Sequence, residues 1–165
     1  MNASERELLI ETVDRLFAEL AGAGDFGSGW QRIEEIGVGS LLVPESAGGF
    51  GGEFFDAALV AHRVALHSVA LPIVESMLAR RLLAAAGIDT VGGAISIAAE
   101  SHGALDGKAG GPGARYTGIL RNVPWGRDVG HVLLAVPQCE RVLLVCLART
   151  AASRLTPATN MAGEA

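Results

Sequence analysis

The hydrophobic period of this chain changes once, near Gly92, and that change limits the folds open to it. Before it, apolar residues recur at helical spacing: Leu9, Val13, Leu16, Phe17 and Leu20, then Trp30, Ile33 and Ile36, then Met77, Leu78, Leu82 and Leu83. After it come short runs rich in Val, Ile and Leu, at Ala94–Ala99, Tyr116–Leu120, Val132–Val136 and Val142–Leu147, separated by Gly, Pro and polar clusters. Helices first and strands second predict an α+β chain rather than βαβ alternation. The expected order is an N-terminal α-helical bundle over residues 1–92, then a small, mostly antiparallel β-domain with a C-terminal tail over 93–165.

Local signals set the expected helix limits. Ser4 and Glu7 have the spacing of a capping box, and Ser28 with Gln31 repeats it for a second helix. Gly22 suits the position after the first helix, and Gly37 and Gly39 end the second. A third helix is expected from about Asp56, as N-cap, to His67. A fourth starts near Pro72, which suits a first turn, and Gly87 closes it. Gly103–Gly113 reads as a glycine-rich loop and Ala151–Ala165 as a tail.

Composition removes several classes of function. Half of the 165 residues are hydrophobic and 19% are charged, which permits a real core. A net charge of −5 with no basic stripe excludes a nucleic-acid surface. No apolar run is long enough for a membrane-spanning helix, and Glu5, Glu7 and Glu11 stand where a signal peptide needs positive charge. Cys139 and Cys146 lack metal-ligand spacing; Cys146, in an apolar run, reads as a small buried hydrophobe of a reducing cytoplasm.

Several motifs match a pattern and fail on context. Gly22-Ala23-Gly24-Asp25-Phe26-Gly27 spells GxGxxG, but a helix precedes it where a dinucleotide loop needs a strand. Gly48-Gly49-Phe50-Gly51-Gly52 is dense enough in glycine to suggest a phosphate cradle, yet it lacks the GK[ST] ending that would meet phosphate and magnesium. It reads as a turn that lets helices pack closely. His62 and His67 fall on different helix faces, His102 and His131 stand alone, and no metal pair is formed. No serine lies in a GxSxG elbow. Arg80-Arg81 reads as a solvated helix face rather than an anion site, and Trp125, after Pro124, as a packing residue in an inter-strand turn.

The spaced pattern Trp30-x-x-Ile33-x-x-Ile36-Gly37-Val38, then Leu42-Val43-Pro44-Glu45-x-x-Gly48-Gly49-x-Gly51-Gly52, Asp56, Leu71-Pro72 and Leu82 with Gly87 resembles the N-terminal helical domain of the acyl-CoA dehydrogenase family. The strands that follow resemble, more weakly, the opening of that family's middle β-domain. The resemblance implies a turn at the five-residue glycine cluster and a flavin held elsewhere. It implies FAD as cofactor and α,β-dehydrogenation of an acyl-CoA as the family reaction. Val74, Glu75, Leu78 and Leu82 fall where the family lines its acyl pocket. Ala98, Ala99 and Ser101 fall on the first flavin segment, and Val123 and Pro124 on the second.

This sequence departs from both flavin segments. Ala99 replaces a hydroxyl, the GSD ending after Ser101 is missing, and Pro124 takes a hydroxyl position without an N–H to offer. The family's catalytic glutamate belongs to a C-terminal helical bundle that has no counterpart in these residues, so no catalytic base is expected among them. The expected role is a truncated member or short subunit, with a non-catalytic interaction subunit as the rival. An unclosed sheet invites a partner. The expected partner is a second copy or, preferably, a longer acyl-CoA dehydrogenase subunit.

Overall fold

The computed structural model describes residues 1–21, 25–106, 115–138, 141–150 and 154–157. The helices-then-strands order is observed. Helices α1 (Ala3–Leu20), α2 (Phe26–Ile36), α3 (Phe54–Leu66) and α4 (Ile73–Ala85) come first, with two short 3-10 turns, Val38–Ser40 and Glu45–Ala47, between α2 and α3. Strands β1 (Ile95–Ile97), β2 (Glu100–Asp106), β3 (Arg115–Arg121), β4 (His131–Gln138) and β5 (Arg141–Ala148) follow. The chain divides into two compact units, Met1–Ile95 and Ser96–Ala165. No helix among the described residues is long and apolar enough to cross a membrane.

Three helices start earlier than their capping signals predict. The box at α1 is Asn2 with Glu5: the Asn2 side chain accepts from the Glu5 amide at 2.9 Å, and the Glu5 carboxylate accepts from the Asn2 amide at 2.7 Å. At α2 the cap is Asp25, which accepts from the Ser28 amide at 3.1 Å. At α3 the cap is Glu53, and Asp56 is the third helical residue, its carboxylate accepting from the Glu53 amide at 2.7 Å. In each case two overlapping sets of polar residues can cap. The earlier one adds backbone hydrogen bonds to a helix already nucleated, which is the cheaper way to grow. Gly37, with φ +79°, closes α2, and Gly87, with φ +67°, follows α4. Gly22, expected after the first helix, lies outside the described residues.

The helical unit packs around Val13, Leu16 and Phe17 of α1, Ile33 of α2, Val60 of α3, and Ile73, Met77 and Leu83 of α4. Leu41, Leu42 and Val43, which run into the glycine turn, are buried with them. Burying each such side chain contributes about 1.5–3 kcal/mol. His67 closes α3 against α1, its Nε2 3.0 Å from Asp14 and its ring edge-on to Phe17.

The second unit holds a three-stranded sheet of order β1-β4-β5 and a two-stranded sheet of β2 and β3. Strands β4 and β5 pair antiparallel from His131 opposite Ala148 to Gln138 opposite Arg141. Strands β2 and β3 pair antiparallel from Glu100 opposite Arg121 to Asp106 opposite Arg115. Ala98, Leu134 and Val136 form the buried centre, with Tyr116, Leu120 and Val123 packed on it. Strand β2 corrects the reading of Gly103–Asp106 as loop; the rest of that expected loop, 107–113, lies outside the described residues. Its sequence is polar and alternates weakly, so β2 exists by pairing rather than by propensity. Gly103 stands opposite Gly118, and a Cβ at Gly103 would fall 2.4 Å from the Thr117 carbonyl oxygen.

Candidate functional site

The amides of the glycine turn donate within the chain. The Gly49 amide donates to the Pro44 carbonyl at 3.1 Å, the Gly51 amide to Val43 at 2.8 Å and the Gly52 amide to Leu41 at 2.8 Å. A phosphate cradle needs such amides free and convergent; these close the chain on itself. Two positions require glycine for separate reasons. Gly48 sits at φ +82°, in the left-handed region, with nothing near its absent Cβ. A Cβ at Gly49 would lie 2.2 Å from the Val43 carbonyl oxygen.

Helix α4 positions the four residues matched to an acyl pocket. Ile73, Ser76, Met77, Ala79, Arg80 and Leu83 are its buried face. Val74, Glu75 and Leu78 are half-buried and Leu82 is exposed on the opposite face. The structure therefore brings Val74, Glu75, Leu78 and Leu82 together on one outward surface, since residues four apart stack along a helix.

Arg80 does not lie on a solvated face. It is 4% exposed and donates to the Ser40 hydroxyl at 3.1 Å, to the Gly93 carbonyl at 3.1 Å and to the Glu34 carboxylate. Glu34 also accepts from the Trp30 indole at 2.9 Å. The network ties α2, the following 3-10 turn and α4 into one piece. Arg81 donates to the Leu42 carbonyl and stacks over Phe54. Periodicity gave no sign of Arg80, because an arginine at a core position is indistinguishable in sequence from one at the surface. The same holds for Asp56, whose side chain is fully buried beneath the Arg6 guanidinium at 2.6 Å. Burial pushes the Asp56 carboxyl up, but the Arg6 hydrogen bond and charge and the Glu53 amide outweigh it and hold the group below its ordinary range.

In the second unit the residues matched to the flavin segments lie in the β1–β2 connection, on β2 and in the β3–β4 turn. The Ala99 amide donates to the Asn122 carbonyl at 3.4 Å, which brings the connection and the turn together. The Ala98 amide donates to the Leu133 carbonyl at 2.9 Å, and the Ser101 hydroxyl to the Ala135 carbonyl at 3.0 Å. The Pro124 carbonyl accepts from the Ser96 hydroxyl. Asn122 and Trp125, on either side of Val123 and Pro124, hold φ of 51° and 57°, a strained turn for residues with side chains. The Ala98 and Ala99 amides and the Ser101 hydroxyl are thus engaged within the unit and Pro124 has no N–H, so four of the five residues fit FAD poorly as donors. Cys146 is half-buried, and burial pushes its thiol up; Cys139 lies outside the described residues.

Four helices followed by a small, mostly antiparallel β part make an α+β chain. No family model matches the sequence. The acyl-CoA dehydrogenase IpdE2 of Mycobacterium tuberculosis is 38% identical over 94 residues, taking in 50% of this chain and 30% of that protein. IpdE2 of Mycolicibacterium smegmatis is 33% identical over 97 residues, taking in 52% of this chain and 31% of that protein. The chain thus spans about a third of the length of the curated relatives it matches. Two solved structures share the fold. A variant of the Tcur3481-Tcur3483 steroid ACAD superposes with a TM-score of 0.64 at 18% identity, over 88% of this chain and 48% of that one. The ChsE4-ChsE5 complex of Mycobacterium tuberculosis does so with a TM-score of 0.61 at 19% identity, over 90% and 48%. Sequence and fold together relate this chain to the acyl-CoA dehydrogenase family over part of that family's length.

Proposed function

We propose that the chain is a subunit of an acyl-CoA dehydrogenase assembly, in which the outward face of α4 forms one wall for the acyl group and a longer family subunit holds the flavin. The family reaction, α,β-dehydrogenation of an acyl-CoA, is assigned to that assembly rather than to this chain alone. In the same reading the assembly is cytoplasmic. The observation that carries the division of labour is the state of the flavin-segment donors. Ala98, Ala99 and Ser101 all donate within the β unit, and Pro124 has no N–H. Support for a partner comes from the two solved neighbours, both two-component proteins by name. No described carboxylate is assigned the role of base in this reading, because proton abstraction needs one poised at the α-carbon.

The visible spectrum tests the proposal. The purified chain is expected to stay colourless when FAD is added, and to co-purify with a longer acyl-CoA dehydrogenase subunit as a yellow complex. Flavin bound near one per chain in the purified protein alone would overturn the assignment of the flavin to the partner. Light scattering that shows a monomer or a homodimer indifferent to the longer subunit would overturn the partnership.

A further inference from the structure

Glu75 is half-buried and unpaired, whereas Glu7, Glu11, Glu45 and Asp89, the other carboxylates of the helical unit with no partner among the described residues, are exposed. Its apolar neighbours on the outward face of α4 are Val74, Leu78 and Leu82; Arg81, on the same face, is engaged by the Leu42 carbonyl and the Phe54 ring. Its side chain is half-buried, and it makes no hydrogen bond or ion pair among the described residues. Asp14, Glu34, Glu53 and Asp56 of the same unit are each paired with an arginine. Glu75 does lie in the first turn of α4, where the helix dipole favours a negative charge. That accounts for a carboxylate near the N-terminus; it does not account for one set against an apolar strip and left without a donor.

Resting on the acyl-wall reading above, we propose that Glu75 selects the acyl group: the strip takes a medium-length apolar acyl chain, and Glu75 accepts a hydrogen bond from a hydroxyl carried on that chain away from the thioester. The dimensions agree. Val74 to Leu82 is eight steps along the helix, or about 12 Å at about 1.5 Å per residue, the length of an extended medium acyl chain. The chemistry sets the sign of the preference. An ionised carboxylate is an acceptor only, so it matches a hydroxyl donor. A plain alkyl chain on the same strip would strip water from Glu75 and return nothing, which disfavours it. Glu75 is thus a specificity residue: it meets the acyl group and takes no part in bond making or breaking.

The test uses the chain assembled with its longer subunit and two probes, dodecanoyl-CoA and ω-hydroxydodecanoyl-CoA, with binding read by calorimetry and turnover by an artificial electron acceptor. A hydrogen bond to a charged acceptor is expected to favour the hydroxylated probe by about ten- to a hundredfold in Kd and KM. Glu75→Gln should shrink that ratio several-fold, and Glu75→Leu should reverse it. A dipole role alone predicts a lower Tm for both variants and an unchanged ratio, which would overturn the inference. Equal binding of the two probes by the wild type would overturn it while leaving the acyl-wall reading intact. Binding of neither probe would overturn both. If Leu78→Asp abolished association with the longer subunit but left thioester binding intact, the face would belong to a protein contact and the inference would fall.

Discussion

Replacing Gly49 with alanine tests whether the glycine turn is a structural closure. Its φ is not in the left-handed region, so backbone strain is not the issue. The new Cβ would sit 2.2 Å from the Val43 carbonyl oxygen and 2.4 Å from the Val43 Cβ, where no side-chain atom can be accommodated. Val43 is buried at 1% exposure and held from both sides, so the turn itself must open. Opening it loses the hydrogen bonds from Gly51 to Val43 and from Gly52 to Leu41. At about 1 kcal/mol each, with about 1–3 kcal/mol for the forced shift of packed neighbours, the cost is about 3–5 kcal/mol. Gly48→Ala is the control: nothing lies within 4 Å of its Cβ, and only the left-handed φ of +82° is penalised, by about 1–2 kcal/mol. Urea unfolding followed by tryptophan fluorescence reads both, since Trp30 is buried in the same unit. With a slope of about 2 kcal/mol/M, Gly49→Ala should lower the midpoint by about 2 M and Gly48→Ala by about 0.5–1 M. Equal losses at the two positions would refute the steric argument. So would a Gly49→Ala protein of native stability that had lost affinity for a nucleoside diphosphate, because that is the signature of a cradle.

Other expectations follow from the buried charges. Arg80→Ala should cost about 2–4 kcal/mol by stranding Glu34 and the Ser40 hydroxyl, and Arg80→Met should cost less because its stem still fills the space; a Tm unchanged in Arg80→Ala would contradict the network. Asp56 is held below its ordinary range in the folded state, so its contribution to stability is present above about pH 4 and is lost as pH falls through the folded value. Arg6→Gln removes the hydrogen bond and charge that hold it down, and acid unfolding of that variant should begin at higher pH than in the wild type; superimposable acid transitions would show that Arg6 does not neutralise Asp56.

Local patterns determined much of this protein. The change of period at Gly92 separates helices from strands because side chains repeat at 3.6 residues in one and 2 in the other. The glycine cluster at 48–52 marks a turn because glycine tolerates both positive φ and close backbone approach. The spacing of Trp30, Ile33, Pro44 and Leu82 carries the family resemblance for the same reason: those positions record packing and turns. Tertiary structure decided what local pattern cannot encode. Which of two overlapping capping sets starts a helix depends on the whole helix and what it packs against, so α1, α2 and α3 begin before the predicted residues. Strand β2 has little strand character of its own and exists because β3 lies beside it, with Gly103 and Gly118 allowing the approach. Arg80 and Asp56 are buried because partners distant in sequence, Glu34 and Arg6, neutralise them, and a charge may enter a core only where the fold delivers its counter-charge.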